Sequence, residues 1–402
     1  MKRGLIVGLV LVAALAIAIV SCSRARDTDV AIATTASENG TTSSTMVSLT
    51  TTTAMRETTV APLTQEPMTI KYATRFKEDD TGGKVIRRFI DYVKEATGGV
   101  VAFEVFFGGV LAGDSEELGL VGSGSVDMTS LALSGYADRL PLANFPMWAA
   151  PDAQAALDYA HHLVFDEPRT SLLIQAEAGV DNIFVLGFTS GGGNVFVSRR
   201  AFTGLADLSG KRFGASGFVP ALEALGCDIV KTNSARMHDA LAEGVFEAVR
   251  AGFKGSIDLK LYDVAKHFVW DGVYGVGSSI VINLDTWARL APETRAVFYE
   301  AAERAADYSL ELDSGYVSGQ LEMLADAGVT VGSLGTEDTD KWYRLLFEYG
   351  AQGCMSRAQN LGIVEDMVAV LTEAARFMGL DWSPPAPTTT TVAPGSGTTG
   401  SP

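Results

Sequence analysis

The fold is decided by three stretches, MTIKYA at 68–73, GGKVIRRFIDYVKEAT at 82–97 and VAFEVFF at 101–107. The first and third alternate apolar and polar residues with period two, which predicts strands, whereas the second has the i, i+3, i+4, i+7 spacing of an amphipathic helix. A short helix at 114–121 and a third strand at 126–131 continue the pattern. This β-α-β-α-β order predicts a parallel sheet with helices on its faces and an α/β fold class.

The same alternation continues to residue 377. One long helix is predicted at 292–325, where apolar residues recur at helical spacing over more than thirty positions. The other predicted strands are 182–187, 193–198, 211–214, 245–249 and 278–283. The other predicted helices are 153–178, 220–225, 236–242, 338–361 and 365–377.

The N-terminus reads as an export signal. Lys2 and Arg3 precede an apolar run at 4–19, and Val20-Ser21-Cys22 follows, which resembles a bacterial lipobox. We expect a signal peptide at 1–21, a lipidated Cys22 that attaches the protein to a membrane, and a disordered Thr/Ser-rich stalk over 22–66. An uncleaved membrane anchor and an ordinary secreted protein are the alternatives. The folded domain is expected at 67–382, and the Pro/Thr/Gly-rich tail 383–402 is expected to be disordered.

Composition excludes some classes of function. The formal net charge is −17, which gives no basic footprint for nucleic acid. His161 and His162 lie on one predicted helix without a third fixed ligand, so we expect no metal and no cofactor. No Gly-x-Ser-x-Gly motif occurs, and we expect no enzyme activity. Cys227 and Cys354 could form a disulfide or remain two buried thiols.

Seven short motifs resemble, in the same order, those of the solute-binding proteins of TRAP (tripartite ATP-independent periplasmic) transporters, the DctP family. Among them are FGGVLAGDSEEL at 107–118, GSGSVDM at 122–128 and DLSGKRF at 207–213. The others are at 144–148, 223–227, 241–245 and 287–290. Each motif alone is weak, but their common register over most of the folded part makes the resemblance specific.

The resemblance implies a two-lobed periplasmic-binding-protein-like fold with a long helix spanning both lobes. Lobe I would comprise 67–195 and 280–325, and lobe II 196–279 and 326–382. A small organic solute, with carboxylates as the usual class, would bind between the lobes and be delivered to the TRAP permease membrane subunits. The protein would be extracytoplasmic, in the periplasm or on the outer face of the cytoplasmic membrane. The alternative is a ligand-sensing subunit for a membrane sensor kinase.

The sequence departs from the family where the solute carboxylate is bound. Most members carry an arginine four residues after the Gly of Asp-Leu-x-Gly, and that position is Gly214 here. Arg212 shares a strand face with it and could reach the cleft or remain on the surface. Arg250 is the hypothesised replacement cation, with a solvated arginine as the alternative. Asn194 stands where a second arginine is common. A glycine at 214 would open space for a neutral or larger solute.

Aromatic residues near predicted strand ends are the other candidate solute contacts. Phe196 and Trp270 are the main ones, and Trp148 follows Pro146 in the loop that the resemblance places at the cleft; core packing is the alternative for each. Arg75, one step past the first strand, is a further candidate. The same reasoning applies to Phe76, Phe218 and Tyr274.

Overall fold

The computed structural model describes residues 64–111, 116–144, 150–215, 217 and 219–384. All of them fall within one compact unit, Ala61–Pro402. The predicted signal peptide, Cys22, most of the stalk, Trp148, Phe218 and the tail from 385 lie outside the described residues. Over the described ranges, no helix combines the length and apolar character needed to cross a membrane.

One mixed sheet of nine strands organises the described residues, in the order β2-β1-β3-β8-β4-β7-β5-β6, with β9 also paired to β8. The α/β class is confirmed. The strands are β1 (Met68–Ala73), β2 (Val101–Phe106), β3 (Met128–Leu131), β4 (Ile183–Ser198), β5 (Arg212–Ala215), β6 (Asp228–Lys231), β7 (Ala248–Gly252), β8 (His267–Asn283) and β9 (Thr330–Ser333).

Helices connect these strands and cover the sheet. They are α1 (Thr81–Ala96), α2 (Glu117–Gly122), α3 (Pro141–Asn144), α4 (Ala153–His161), α5 (Pro168–Val180), α6 (Val219–Ala224), α7 (Ser234–Ala242), α8 (Phe253–Asp258), α9 (Leu261–Val264), α10 (Leu284–Arg289), α11 (Pro292–Asp326), α12 (Thr336–Leu361) and α13 (Val364–Phe377). A π-helical turn, His162–Asp166, lies between α4 and α5.

Two long antiparallel strands, β4 and β8, connect two sets of parallel strands. The first half consists of β1–β3 together with Ile183–Phe188 of β4 and Ser279–Asn283 of β8; β1 is parallel to β2 and β3. The second half consists of β5–β7 and β9 together with the opposite ends of β4 and β8; β5 is parallel to β6 and β7. Two predicted strands at 182–198 are therefore one strand, interrupted by bulges between Val185 and Val195.

Local chemistry explains where the helices begin. The Asp80 carboxylate accepts a hydrogen bond from the Gly83 amide at 2.8 Å, which caps α1. A Cβ at Gly83 would lie 2.0 Å from the Lys77 carbonyl oxygen, so this turn needs glycine. The single helix predicted at 153–178 is divided, because Pro168 begins α5 and Glu167 caps it.

The C-terminal helices differ from the predicted lobe boundary. The segment 326–382 was assigned to lobe II, and Trp342 of α12 does lie in a core cluster with Phe196 and Phe213 of the second half. Most of α12 from Phe347 onward and the whole buried face of α13 pack instead in the core of the first half. The reason is the length of α12, which carries the chain from one half back to the other.

The helix α11 also contacts both halves. Phe298, Ala302 and Ala305 pack against β1 and α1, while Leu324 lies in a cluster with Phe268 of the second half. The prediction of a long helix that spans both lobes is thus confirmed.

The two thiols are free. Cys227 lies in a core cluster of the second half and Cys354 in that of the first. Burial raises the pKa of each thiol to about 11. The buried-thiol alternative is therefore the correct one in this structure.

Candidate functional site

A cavity of about 390 Å³ lies where the two halves meet. Small-molecule sites usually have volumes of about 300–1,000 Å³ and often lie at such junctions. Its lining comes from the turn after β1, the centres of β4 and β8, the β7–α8 junction and the middle of α11. The lining side chains with functional groups include Arg75, Asp80, Ser190, Lys254, Asp258, Ser278, Ser309, Asp313 and Tyr316. Two other cavities, along α12 and the end of α13, are not lined by residues that follow β1 or β7.

Arg75 is the cation that the first half places in this cavity. Its Nη2 donates to the Ser278 hydroxyl at 3.0 Å, and its Nη1 donates to the Ser130 carbonyl at 3.3 Å and lies 3.5 Å from Glu117 Oε2. The guanidinium also lies over the Phe76 ring, 4.6 Å from its centroid. Its side chain is 22% exposed. Arg75 is therefore fixed in position while part of its surface faces the cavity.

Glycines line the floor of the cavity, where β4 and β8 cross between the halves. A Cβ on Gly193 would lie 2.7 Å from both the Trp270 and the Tyr274 ring, and one on Gly191 would lie 2.8 Å from the Gly275 carbonyl. Gly192 has φ +68°, in the left-handed region that favours glycine. Close approach of backbone and rings therefore requires this glycine run.

On the side of the second half, Lys254 lies among carboxylates. Its ammonium is 2.7 Å from Asp258 Oδ2, and Asp80 and Asp313 are electrostatic neighbours. Burial lowers the pKa of Lys254, but the ion pair with Asp258 and the other acidic neighbours outweigh it, so the pKa lies above its ordinary value. Burial raises the pKa of Asp313, against the opposing effects of Ser190 and Lys254.

Comparison with known proteins identifies the fold and the family. A family model, "Bacterial extracellular solute-binding protein, family 7" (DctP), matches residues 72–350. The chain belongs to this family. The predicted resemblance to TRAP solute-binding proteins is confirmed, and the chain is a TRAP-type solute-binding receptor.

Individual relatives are similar in sequence or in structure. The C4-dicarboxylate-binding periplasmic protein DctP of Rhodobacter capsulatus is 24% identical over 289 residues, which cover 71% of this chain and 86% of that protein. A TRAP solute-binding protein of Ochrobactrum anthropi has a TM-score of 0.65 at 21% identity, covering 77% of this chain and 97% of that one. One from Sulfitobacter sp. NAS-14.1, with bound β-D-galacturonate, has a TM-score of 0.58 at 16% identity, covering 77% and 99%. The two-lobed fold is thereby confirmed.

Four of the candidate contacts named from the sequence lie at or beside the cavity. Arg75 lines it, as does Phe76. Asn194 follows the glycine run and is half-buried, and its Nδ2 donates to the Val273 carbonyl at 3.0 Å. Trp270 stacks on Phe253, which lines the cavity, with ring centroids 4.7 Å apart. Arg75 is the predicted residue that the structure places best for contact with a solute.

Phe196, predicted as a solute contact, lies in the core instead. Its side chain is fully buried among Phe202, Phe213 and Trp342. The alternation of side chains along β4 turns it to the covered face of the sheet. The prediction of solute contact is wrong for this residue.

The predictions for Gly214 and Arg212 also need correction. A Cβ on Gly214 would lie 2.7 Å from the Phe246 ring, which is fully buried, so the missing side chain leaves no open space. Arg212 is exposed at the beginning of β5, where its Nη2 donates to the Gly244 carbonyl at 3.0 Å. Arg212 therefore stabilises the turn before β7 and does not line the cavity.

Arg250 is held inside the second half. Its Nε donates to Asp271 Oδ2 at 2.6 Å, and the two side chains are 9% and 0% exposed. The same Asp271 accepts from Trp342 Nε1 at 3.2 Å and from the Val273 amide at 2.9 Å. Arg250 does not line the cavity, so the structure gives it a packing role in place of the hypothesised solute contact.

Lys254 and Asp313 were missed by the sequence reasoning. A signal for Asp313 did exist, because it continues the buried stripe of α11 formed by Phe298, Ala302, Ala305 and Ser309. A carboxylate in such a stripe departs from the usual apolar pattern. Lys254 gave no such signal, because it lies five residues past the strand predicted at 245–249.

Proposed function

We propose that the cavity at Arg75 is the solute site of this TRAP receptor and that the two halves close over the solute. The observation that supports it is the lining, which comes from the strand ends of both halves and from the crossing strands between them. Closure of two lobes around such connections is the usual response of this architecture. Delivery to a TRAP permease would follow. Catalysis forms no part of the proposal, because the family is one of receptors.

A thermal-shift screen tests the solute site. We expect a member of a panel of organic acids, amino acids and sugars to raise the unfolding temperature, since ligand at 100 times its dissociation constant adds about 2.7 kcal/mol. Arg75→Gln should reduce this shift, and Arg212→Gln, on the surface, should not. Absence of stabilisation across the whole panel would contradict solute binding.

The lipid anchor is also part of the proposal. Its support is the sequence at Val20-Ser21-Cys22, which resembles a lipobox. We expect the intact mature chain to carry diacylglycerol on Cys22 and to fractionate with membranes. Mass spectrometry of the N-terminal peptide and fractionation of a Cys22→Ser variant test this. Recovery of Cys22 as an unmodified thiol in mature protein from a host with lipoprotein processing would contradict it.

Delivery to a permease can be separated from sensing. Uptake into vesicles that contain the partner membrane subunits should require this receptor and the solute together. If solute-loaded receptor instead stimulated only a membrane kinase, transport would be excluded in favour of sensing.

A further inference from the structure

The cations in and beside the cavity already have carboxylate partners. Arg75 pairs with Glu117 at 3.5 Å, Lys254 with Asp258 at 2.7 Å, and Arg250, two residues before the lining Gly252, with Asp271 at 2.6 Å. A cation beside a fixed carboxylate presents little net charge to an incoming anion. Binding of a solute carboxylate would have to compete with these partners.

The lining carries more negative than positive charge. Among the described lining residues, Asp80, Asp258 and Asp313 oppose Arg75 and Lys254. One oxygen of Asp313, Oδ2, is buried and has no hydrogen-bond partner among the described groups. A Cβ built on Gly192 would have Asp313 as its nearest neighbour, with Oδ2 at 3.7 Å, so this carboxylate lies beside the floor of the cavity. An anionic solute would meet repulsion here.

Position 214, where the family usually carries an arginine, has no room for a side chain in this protein. At Gly214 the phenyl ring of Phe246 lies where a side chain would begin. An arginine at 214 could not reach the cavity without displacing that buried ring. The second half therefore has no arginine available at this position to clamp a carboxylate.

The remaining lining suits hydroxyl groups. A hydroxyl both donates and accepts, so it can bond at once to an arginine and to the carboxylate paired with it. Phe76, Phe253 and Tyr316 add aromatic surface that can pack against the C–H groups of a ring or chain. We propose that the solute is an uncharged, polyhydroxylated molecule, a polyol or neutral sugar, and not a carboxylate. This inference rests on the proposed function.

Matched ligands that differ only in a carboxylate test the proposal. Galactose with galacturonate and glucose with glucuronate are titrated against the mature full-length protein at low salt, together with a set of polyols and dicarboxylates, by thermal shift and calorimetry. We expect a neutral member to bind at least tenfold more tightly than its acid. Tighter binding of the acids would overturn this inference and leave the receptor function intact. If neither the neutral sugars nor the acids bound, and no member of the broad panel above bound, both this inference and the proposed receptor function would be overturned.

Asp258→Asn gives an independent test, because it removes the carboxylate partner of Lys254. We expect affinity for a uronate to increase about tenfold relative to affinity for the matching neutral sugar. Asp263→Asn, which removes the same charge from an exposed position on α9, is the matched control and should change neither. If Asp258→Asn left uronate affinity at the wild-type level, pairing of Lys254 would not be what excludes anions and the proposal would fail.

Discussion

Arg75 and Arg250 were both predicted to contact a solute from just past a strand end, one in each half, yet they have different environments. Arg75 follows β1 and is 22% exposed at the cavity, whereas Arg250 lies in β7 and is 9% exposed against Asp271. Both approach a carboxylate that is almost fully buried. The difference lies in the partner's position, because Asp271 lies within the second half next to Trp342, whereas Glu117 approaches an arginine that lines the cavity. The partner, more than the arginine itself, decides whether such a residue can meet a solute.

The largest expected effect comes from removing the partner in the second half. Asp271→Ala should lower the free energy of unfolding by about 3–5 kcal/mol, because Arg250, Trp342 and the Val273 amide lose a common buried acceptor. Urea denaturation measures this. Asp263→Ala, at an exposed position, should stay within about 0.5 kcal/mol. A loss below about 1 kcal/mol for Asp271→Ala would show that the ion pair does not hold the second half together.

A third carboxylate, the half-buried Glu177, extends the comparison because its hydrogen-bond donors among the described residues are backbone amides. It accepts hydrogen bonds from the Leu142 and Ala143 amides, and burial raises its pKa from 4.5 to about 7. The folded state thus holds a proton that the unfolded state has released. Stability should fall by about 3 kcal/mol as pH rises from about 4.5 to about 7, at about 1.4 kcal/mol per pKa unit.

Glu177→Gln should remove this part of the pH dependence. Denaturation curves at a series of pH values compare it with wild type and with Glu322→Gln, an exposed change of the same kind on α11. If the free energy of unfolding of Glu177→Gln fell as steeply between pH 4.5 and 7 as that of wild type, the proton held by the folded state would belong to another group.

Gly214→Ala tests whether β5 of the second half has room for a side chain at position 214. Its new Cβ would lie 2.7 Å from the Phe246 ring, and the resulting overpacking should lower the free energy of unfolding by about 1–3 kcal/mol. Gly119→Ala, on α2 with no neighbouring heavy atom within 4 Å, should instead stabilise by about 0.4–1 kcal/mol. If urea denaturation showed the same free energy of unfolding for Gly214→Ala as for wild type, the Phe246 ring would be able to move and position 214 could hold a side chain.

Arg75→Gln has the smallest expected effect and acts on binding. Loss of charged donors at a partly exposed position should weaken solute affinity by about tenfold, or about 1.4 kcal/mol. Calorimetry with the solute found in the screen measures it. Arg212→Gln, exposed at the beginning of β5, should change affinity less than twofold. Equal losses in the two variants would remove Arg75 from the site.

The spacing of apolar residues along the sequence was enough to predict most of the helices and strands. The buried face of α1 and the full length of α11 follow from helical spacing, and β1 follows from alternation. Boundaries failed where a local rule was overlooked, as at Pro168. The division into lobes failed at α12 because a continuous helix gives no sign of the point at which it passes from one core to another.

The site was harder to predict because its properties depend on distant partners. Burial of Arg250 depends on Asp271, which reaches it through the pairing of β7 with β4 and of β4 with β8. The filling of the space at Gly214 depends on Phe246, which precedes the next strand of the sheet. Neither relation is visible in spacing along the chain. Arg75 was found because it lies two residues past the strand predicted at 68–73, which is a local signal.

The crossing strands also have a consequence for how the chain folds. Met128 of β3 pairs with Ile282 of β8, so the first half lacks a central strand until a much later part of the chain is present. Such non-local pairing slows folding, since a large loop must close before contacts form. A chain made in order from its N-terminus therefore stays incomplete for most of its synthesis, with the edge of β3 unpaired. A fold that closes only with its last third becomes native after β8 has been made, which suits a protein of an extracytoplasmic family.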